Sequence, residues 1–211
     1  LKMLKIALTK GRLEKSTVEL FEKMGYDVSA FETKGRKLIL PVGDSIEVVL
    51  AKAPDVITYV EHGVCDIGVV GKDTISERGG AFYEVLDLGF GRCKFALAAP
   101  KDSDFYAGYD IKRLASKYPH VTREFFARKG MDVDIIKIEG SVELAPLLGL
   151  VDGIVDLVET GNTLRENGLV EVEDVMQVSA RLIVNVASMK LKKNEINDLI
   201  DKIEALKEAQ A

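Results

Sequence analysis

The residues best equipped for chemistry stand together late in the chain. Glu159-Thr160-Gly161-Asn162-Thr163 sets two hydroxyls, an amide and a glycine side by side, and it follows the apolar run Gly153-Ile154-Val155-Asp156-Leu157-Val158 directly. A buried strand that ends in such a loop, with a helix after it, can hold a phosphate. Backbone N–H groups face the anion, glycine lets the backbone approach, and the hydroxyls donate without bulk. Asp156 is a carboxylate inside an apolar strand, a costly placement unless it finds donors. A sugar diol would supply two. The same five residues also suit an ordinary strand-to-helix turn with Thr163 as the helix cap. Upstream, Glu139-Gly140-Ser141 is a small polar turn after another apolar run.

A second arrangement of this kind lies near the start. The apolar run at residues 4–8 ends in Thr9-Lys10-Gly11-Arg12, and a helix over 13–24 follows, stopped by Gly25. Lys10 and Arg12 flank a glycine backbone that an anion can approach, and a solvated basic turn fits the same residues.

The elements that must position these loops alternate between strand and helix. Apolar runs predict strands over 37–41 and 46–51, joined by Val42-Gly43-Asp44-Ser45, and over 65–71, 83–88, 94–99, 133–138, 153–158, 170–178 and 180–187. Helices are predicted from Ala53-Pro54-Asp55 to a stop at Gly63, after Asp73 and Thr74, over 111–117, and from His120 to Gly130. Leu191, Ile196, Leu199, Ile200, Ile203 and Leu206 recur at helical spacing, so a helix over 191–209 is expected to serve packing or an interface. Pro100-Lys101-Asp102-Ser103-Asp104 reads as a linker. The pattern gives an α/β fold of two lobes, with a ligand expected in the cleft between them.

Composition narrows the function. The chain has 211 residues, enough for one large or two small domains. Its net charge of −5 leaves no basic footprint for nucleic acid and no polybasic membrane anchor, and the absence of Trp counts against stacking platforms. Two histidines argue against a His-rich metal site or a Ser-His-Asp triad. Cys65 and Cys93 form no CxxC pair and suit buried free thiols in a reducing cytoplasm. The first eight residues are too short and strand-like for a signal peptide, and no apolar run is long enough to span a bilayer.

Taken together, several motifs resemble the ATP phosphoribosyltransferase family, the enzymes of the first step of histidine biosynthesis. They are Lys10-Gly11-Arg12-Leu13, Asp66-Ile67-Gly68 with Gly71, Gly140-Ser141-Val142-Glu143-Leu144-Ala145-Pro146 and Gly149-Leu150-Val151-Asp152. Ile154-Val155-Asp156-Leu157-Val158 and Thr160-Gly161-Asn162-Thr163-Leu164 complete the set. The resemblance implies two hinged α/β lobes of mixed sheet with flanking helices, like type II periplasmic binding proteins. The lobes are expected at residues 1–100 with 179–211, and at 101–178. It implies attack of adenine N1 of ATP on the anomeric carbon of phosphoribosyl pyrophosphate, with Mg²⁺ held through substrate phosphates rather than by protein ligands.

On this resemblance, Glu139, Gly140, Ser141, Asp152, Asp156, Glu159, Thr160, Gly161, Asn162, Thr163 and Leu164 would bind phosphoribosyl pyrophosphate. Lys10, Gly11, Arg12, Arg36, Asp66, Gly68, Gly71, Arg92 and Lys94 would serve ATP or pyrophosphate. Arg12, Arg36 and Asp156 would act as electrostatic stabilisers, with no general base. An end at Ala211 leaves no residues for the regulatory domain of the family's long form. The expectation is therefore a short-form chain, dimeric within a hetero-octamer, whose regulatory subunit resembles histidyl-tRNA synthetase. A non-catalytic small-anion or solute-binding protein on the same two-lobe fold is the alternative. Another phosphoribosyltransferase, or a structural subunit that keeps the fold without activity, are further rivals.

Overall fold

The computed structural model describes residues 3–209; Leu1, Lys2, Gln210 and Ala211, assigned above to the first lobe, lie outside the described residues. In chain order the elements are β1 (Leu4–Thr9), α1 (Arg12–Lys23), β2 (Ile39–Val42), β3 (Ile46–Ala51), α2 (Ala53–Glu61), β4 (Ile67–Gly71), α3 (Lys72–Arg78) and β5 (Phe82–Asp87). Then come β6 (Cys93–Pro100), β7 (Lys112–Ser116), α4 (Pro119–Arg128), β8 (Val133–Lys137), α5 (Leu144–Leu147), β9 (Gly153–Val158) and α6 (Asn162–Glu166). The chain closes with β10 (Leu169–Val178), β11 (Ala180–Asn185), α7 (Ser188–Leu191) and α8 (Lys193–Glu208).

These elements form two compact units. The first runs to Gly91 and resumes at Ser179; the second is Arg92–Val178. The second boundary falls where the sequence placed it. The first falls earlier than the expected 100/101, because β6 pairs on both sides with strands of the second sheet and so belongs to that unit.

The first sheet has the order β2-β3-β1-β4-β11-β5, with β3, β1 and β4 parallel. It is covered on both faces. Ile6 and Leu8 point to the side of Phe21 in α1 and of Ile196, Leu199 and Ile203 in α8. Between them in sequence, Ala7 points to Val56, Ile57 and Val60 of α2. Burial on both faces explains why β1 and β4 read as near-continuous apolar runs instead of alternating ones.

The second sheet has the order β10-β6-β9-β7-β8, in which β9, β7 and β8 are parallel. Phe95, Leu97 and Val155 face Phe125 and Phe126 of α4. Ala96, Ala98 and Ile154 face Val142, Ala145 and Leu164.

One predicted helix is a strand. Residues 111–117 were expected as a helix, yet Lys112–Ser116 is β7, at the centre of the parallel part of this sheet. Lys, Arg, Leu and Ala are good helix formers, but propensity is a weak determinant that burial overrides. Leu114, Ala115 and Ser116 are wholly buried between β9 and β8, and the Ser116 hydroxyl donates to the Val155 carbonyl at 2.6 Å. The final helix also begins later than expected: α7 is a separate short turn, and α8 starts at Lys193.

Candidate active site

In the second unit the parallel strands send their carboxyl ends to one edge. Ser116 leads there to Lys117, Lys137 to the turn with Glu139, Gly140 and Ser141, and Val158 to Glu159. Ligands in open α/β sheets bind outside that edge. A pocket of about 250 Å³ opens there, lined by Asp156, by the loop from Glu159 through Leu164, and by Glu143.

The loop turns on a glycine. Gly161 has φ 70° and ψ 5°, a left-handed conformation that glycine adopts without strain. The first helical hydrogen bond of α6 runs from Arg165 N–H to the Gly161 carbonyl at 3.1 Å. The N–H groups of Asn162, Thr163 and Leu164 therefore precede the helical ladder, and that of Asn162 donates to Thr160 Oγ1 at 3.4 Å. Leu164 is buried in the core below and anchors the turn, while Thr160 and Thr163 are exposed.

Asp156 is half-buried on the pocket wall. Burial pushes its carboxyl above the usual carboxylate range and the charge of Glu143 adds to this, while the Leu157 N–H and Lys117 oppose it. Glu143 joins this site although only its motif, not the residue, stood out in the sequence. The signal was the turn before α5, which sits at the carboxyl end of β8. Lys117 was missed with β7 itself, because a helix would not have aimed it at this edge.

Other candidates of the second unit are not among the residues lining this pocket. Asp152 precedes β9, so a whole strand separates it from the loop; its carboxylate accepts the Arg113 N–H at 2.7 Å on β7. Gly140 lies open, with nothing within 4 Å of the place a Cβ would take. Glu139 is exposed beside Ser141 and pairs with Lys137 at 2.8 Å, which holds its carboxyl below the usual range. Arg92 opens the unit and is exposed. Lys94 is engaged by Asp174 at 2.6 Å and Glu171 at 2.7 Å, and those carboxylates hold its ammonium above the ordinary lysine range.

In the first unit the carboxyl edge of β1, β3 and β4 gathers Lys10, Gly11, Arg12, Lys52 and Gly71. Gly11 has φ 95° and ψ −128°, a conformation reserved for glycine, and open space where a Cβ would be. Its N–H donates to Glu14 at 3.3 Å, and Glu14 pairs with Lys34. That ion pair ties the turn carrying Arg36 to the first turn of α1. Sequence reasoning passed over Lys52, an exposed cation at the β3–α2 junction.

Asp66 and Gly68 do not face this edge. A Cβ at Gly68 would come within 3.0 Å of Val60, Val56 and Ile183, so that glycine lets α2 pack on the sheet. At Gly71 a Cβ would overlap the Asp73 carboxylate. Asp66 precedes β4 at the opposite edge and is buried. Its carboxylate accepts from Lys192 Nζ at 2.6 Å, Ser188 Oγ at 2.7 Å and Lys5 N–H at 2.9 Å.

Burial alone would raise the Asp66 pKa, but these donors outweigh it and hold the carboxyl below the usual range. The stability this contributes is present above the unfolded pKa and is lost as pH falls through the folded one. Lys192→Met strands a buried carboxylate. The expected loss is about 3 kcal/mol, read as a lower urea midpoint at neutral pH, and the loss shrinks in acid.

The fold is a two-unit α/β architecture whose second unit opens a pocket lined by Asp156, Glu143 and the Glu159–Leu164 loop. A model of the ATP phosphoribosyltransferase family matches residues 52–205. The chain belongs to that family. It is 62% identical over 202 residues to the ATP phosphoribosyltransferase of Clostridium kluyveri, covering 95% of this chain and 92% of that one. To the Clostridium acetobutylicum enzyme it is 60% identical over 203 residues, covering 96% and 94%.

Among solved structures, a chain of the ATP phosphoribosyl transferase (HisG:HisZ) complex from Thermotoga maritima superposes with a TM-score of 0.82 at 33% identity, covering 98% of this chain and all of that one. The periplasmic aliphatic sulphonate binding protein SsuA of Escherichia coli superposes with a TM-score of 0.62 at 14% identity, covering all of this chain and 75% of that one. That likeness is one of fold, and it bears out the two-lobe binding-protein architecture.

Proposed function

We propose that this chain transfers the phosphoribosyl group of phosphoribosyl pyrophosphate to N1 of ATP, giving phosphoribosyl-ATP and pyrophosphate, the first step of histidine biosynthesis. The observation that carries this reading is the pocket where Asp156 and Glu143 meet the Glu159–Thr163 hydroxyl loop at the carboxyl end of β9. The loop amides and the hydroxyls of Thr160 and Thr163 take the 5′-phosphate. Asp156 accepts from the ribose hydroxyls and stabilises the positive charge that grows on the sugar. The N1–C1′ bond forms as the C1′–O bond to pyrophosphate breaks, and the adenine lone pair serves as nucleophile without an activating base. We assign Lys10, Arg12 and Arg36 to the phosphate charge of ATP or of pyrophosphate.

Among the described residues no group of three or more His, Cys, Asp or Glu side chains could hold a metal ion. We place Mg²⁺ on the substrate phosphates rather than on protein ligands, since this ion keeps several waters and binds readily through phosphate oxygens. When bound, the ion offsets the charge of the departing pyrophosphate.

Likeness to a chain of the HisG:HisZ complex supports a regulatory partner, and we propose that dimers of this chain sit inside a hetero-octamer. No helix among the described residues is long and apolar enough to cross a membrane, and we place the chain in the cytoplasm, where both substrates are made. Family membership favours transfer over passive solute binding.

The test is product analysis. The full chain with its regulatory subunit, ATP, phosphoribosyl pyrophosphate and Mg²⁺ should yield phosphoribosyl-ATP and pyrophosphate in equal amounts. EDTA should stop the reaction and excess Mg²⁺ restore it. Binding of either substrate without this product would favour the solute-binding reading.

A further inference from the structure

Arg165 lies in α6 and belongs to none of the motifs that mark the site. Its guanidinium folds back over the turn that opens the helix. Nη2 donates to the Thr160 carbonyl at 3.1 Å and to the side-chain oxygen of Asn162. Nη1 lies 3.0 Å from the position a Cβ would take on Gly161. Glu171 Oε1 stands 2.9 Å from the same position, and Glu171 is itself paired with Lys94. One planar cation thus touches the loop on both sides of its left-handed glycine.

The two atoms that Arg165 binds are the wrong kind for an anion site. A carbonyl oxygen and an amide oxygen repel phosphate, and a loop free to turn could present either one to the pocket. A guanidinium holds several acceptors at fixed angles, which a flexible ammonium does not. Occupying both oxygens keeps them turned away and leaves N–H and hydroxyl groups to face the ligand. The added positive charge acts in the same direction.

We propose that Arg165 is a positioning residue for the phosphate end of phosphoribosyl pyrophosphate, acting through the loop and not by touching the sugar. The proposal rests on the reading that this loop holds the 5′-phosphate.

The test is steady-state turnover with each substrate varied, on the full chain assembled with its regulatory subunit. Arg165→Ala should raise KM for phosphoribosyl pyrophosphate about tenfold and leave KM for ATP and the melting temperature of the chain in place. Arg165→Lys keeps the charge but loses the fork, so its KM should fall between parent and Ala variant. A Thr160→Ala, Thr163→Ala double variant is measured beside them. If it raises KM while Arg165→Ala does not, Arg165 is idle and the proposal fails with the loop reading intact. If neither changes KM, the phosphate sits elsewhere and both fail. Equal losses for both substrates, or a lowered melting temperature, would show a general structural role and also overturn the proposal.

Discussion

Replacing Asp156 with Asn is expected to lower kcat/KM by about a hundredfold while leaving the protein at least as stable as the parent at neutral pH. The catalytic half follows from position. Asp156 lies in the same pocket as the hydroxyl loop, on the strand that delivers it. Asn keeps the shape but not the charge that a cationic sugar needs. The stability half follows from linkage.

Burial and Glu143 raise the folded pKa of Asp156 above its unfolded value. Between those values the native state binds more protons than the unfolded state, so stability falls as pH rises through that window. At neutral pH the ionised carboxylate therefore costs the native state some stability, and Asn removes that cost. Thermal melting at pH 7 and steady-state kinetics on the same preparations check both halves. The acid limb of the parent's kcat/KM profile should also lie above the ordinary aspartate range. A variant that unfolds, or one that turns over like the parent, would show that Asp156 serves the fold or nothing at this site.

Removing both hydroxyls of the loop, Thr160→Ala with Thr163→Ala, should raise KM for phosphoribosyl pyrophosphate roughly a hundredfold with little change in KM for ATP. On the proposed reading each hydroxyl donates to a phosphate oxygen, and a hydrogen bond to a charged group contributes about 1.5–3 kcal/mol. Both side chains are exposed and Leu164 anchors the turn from below, so the fold should tolerate the change. Substrate-varied kinetics separates this outcome from a general loss. A variant equally weakened toward ATP would mean that the loop shapes the whole unit instead of holding one phosphate.

What the sequence made legible was contiguous. Lys10-Gly11-Arg12 and the Glu159–Thr163 loop each follow an apolar run directly, and each lies at the carboxyl edge of a parallel set of strands. The two carboxylates that stand apart, Asp66 and Asp152, precede their strands. Chain direction puts residues before a parallel strand at the opposite edge from the site, so they pair with Lys192 and with the Arg113 backbone instead. Strand polarity was available in the sequence; the partners were not. Lys192 lies 126 positions from Asp66, a separation that no local pattern spans.

β7 escaped for a different reason. Its five residues carry no alternation, and helix-favouring types fill it; only the groove between β9 and β8 makes it a strand. Arg165 was invisible because a charged residue in a short helix looks like a solvated one until its side chain is seen to turn back on the loop.

Hydrogen–deuterium exchange of the full chain, with its regulatory subunit, tests the central claim most directly when Mg²⁺-phosphoribosyl pyrophosphate is added. Slowed exchange is expected in the peptides holding residues 139–143 and 159–166, at the carboxyl edge of the second sheet. Peptides holding Asp66 and Asp152, at the amino edges, should not change. Protection at those amino edges, with the 159–166 loop exchanging as before, would contradict it.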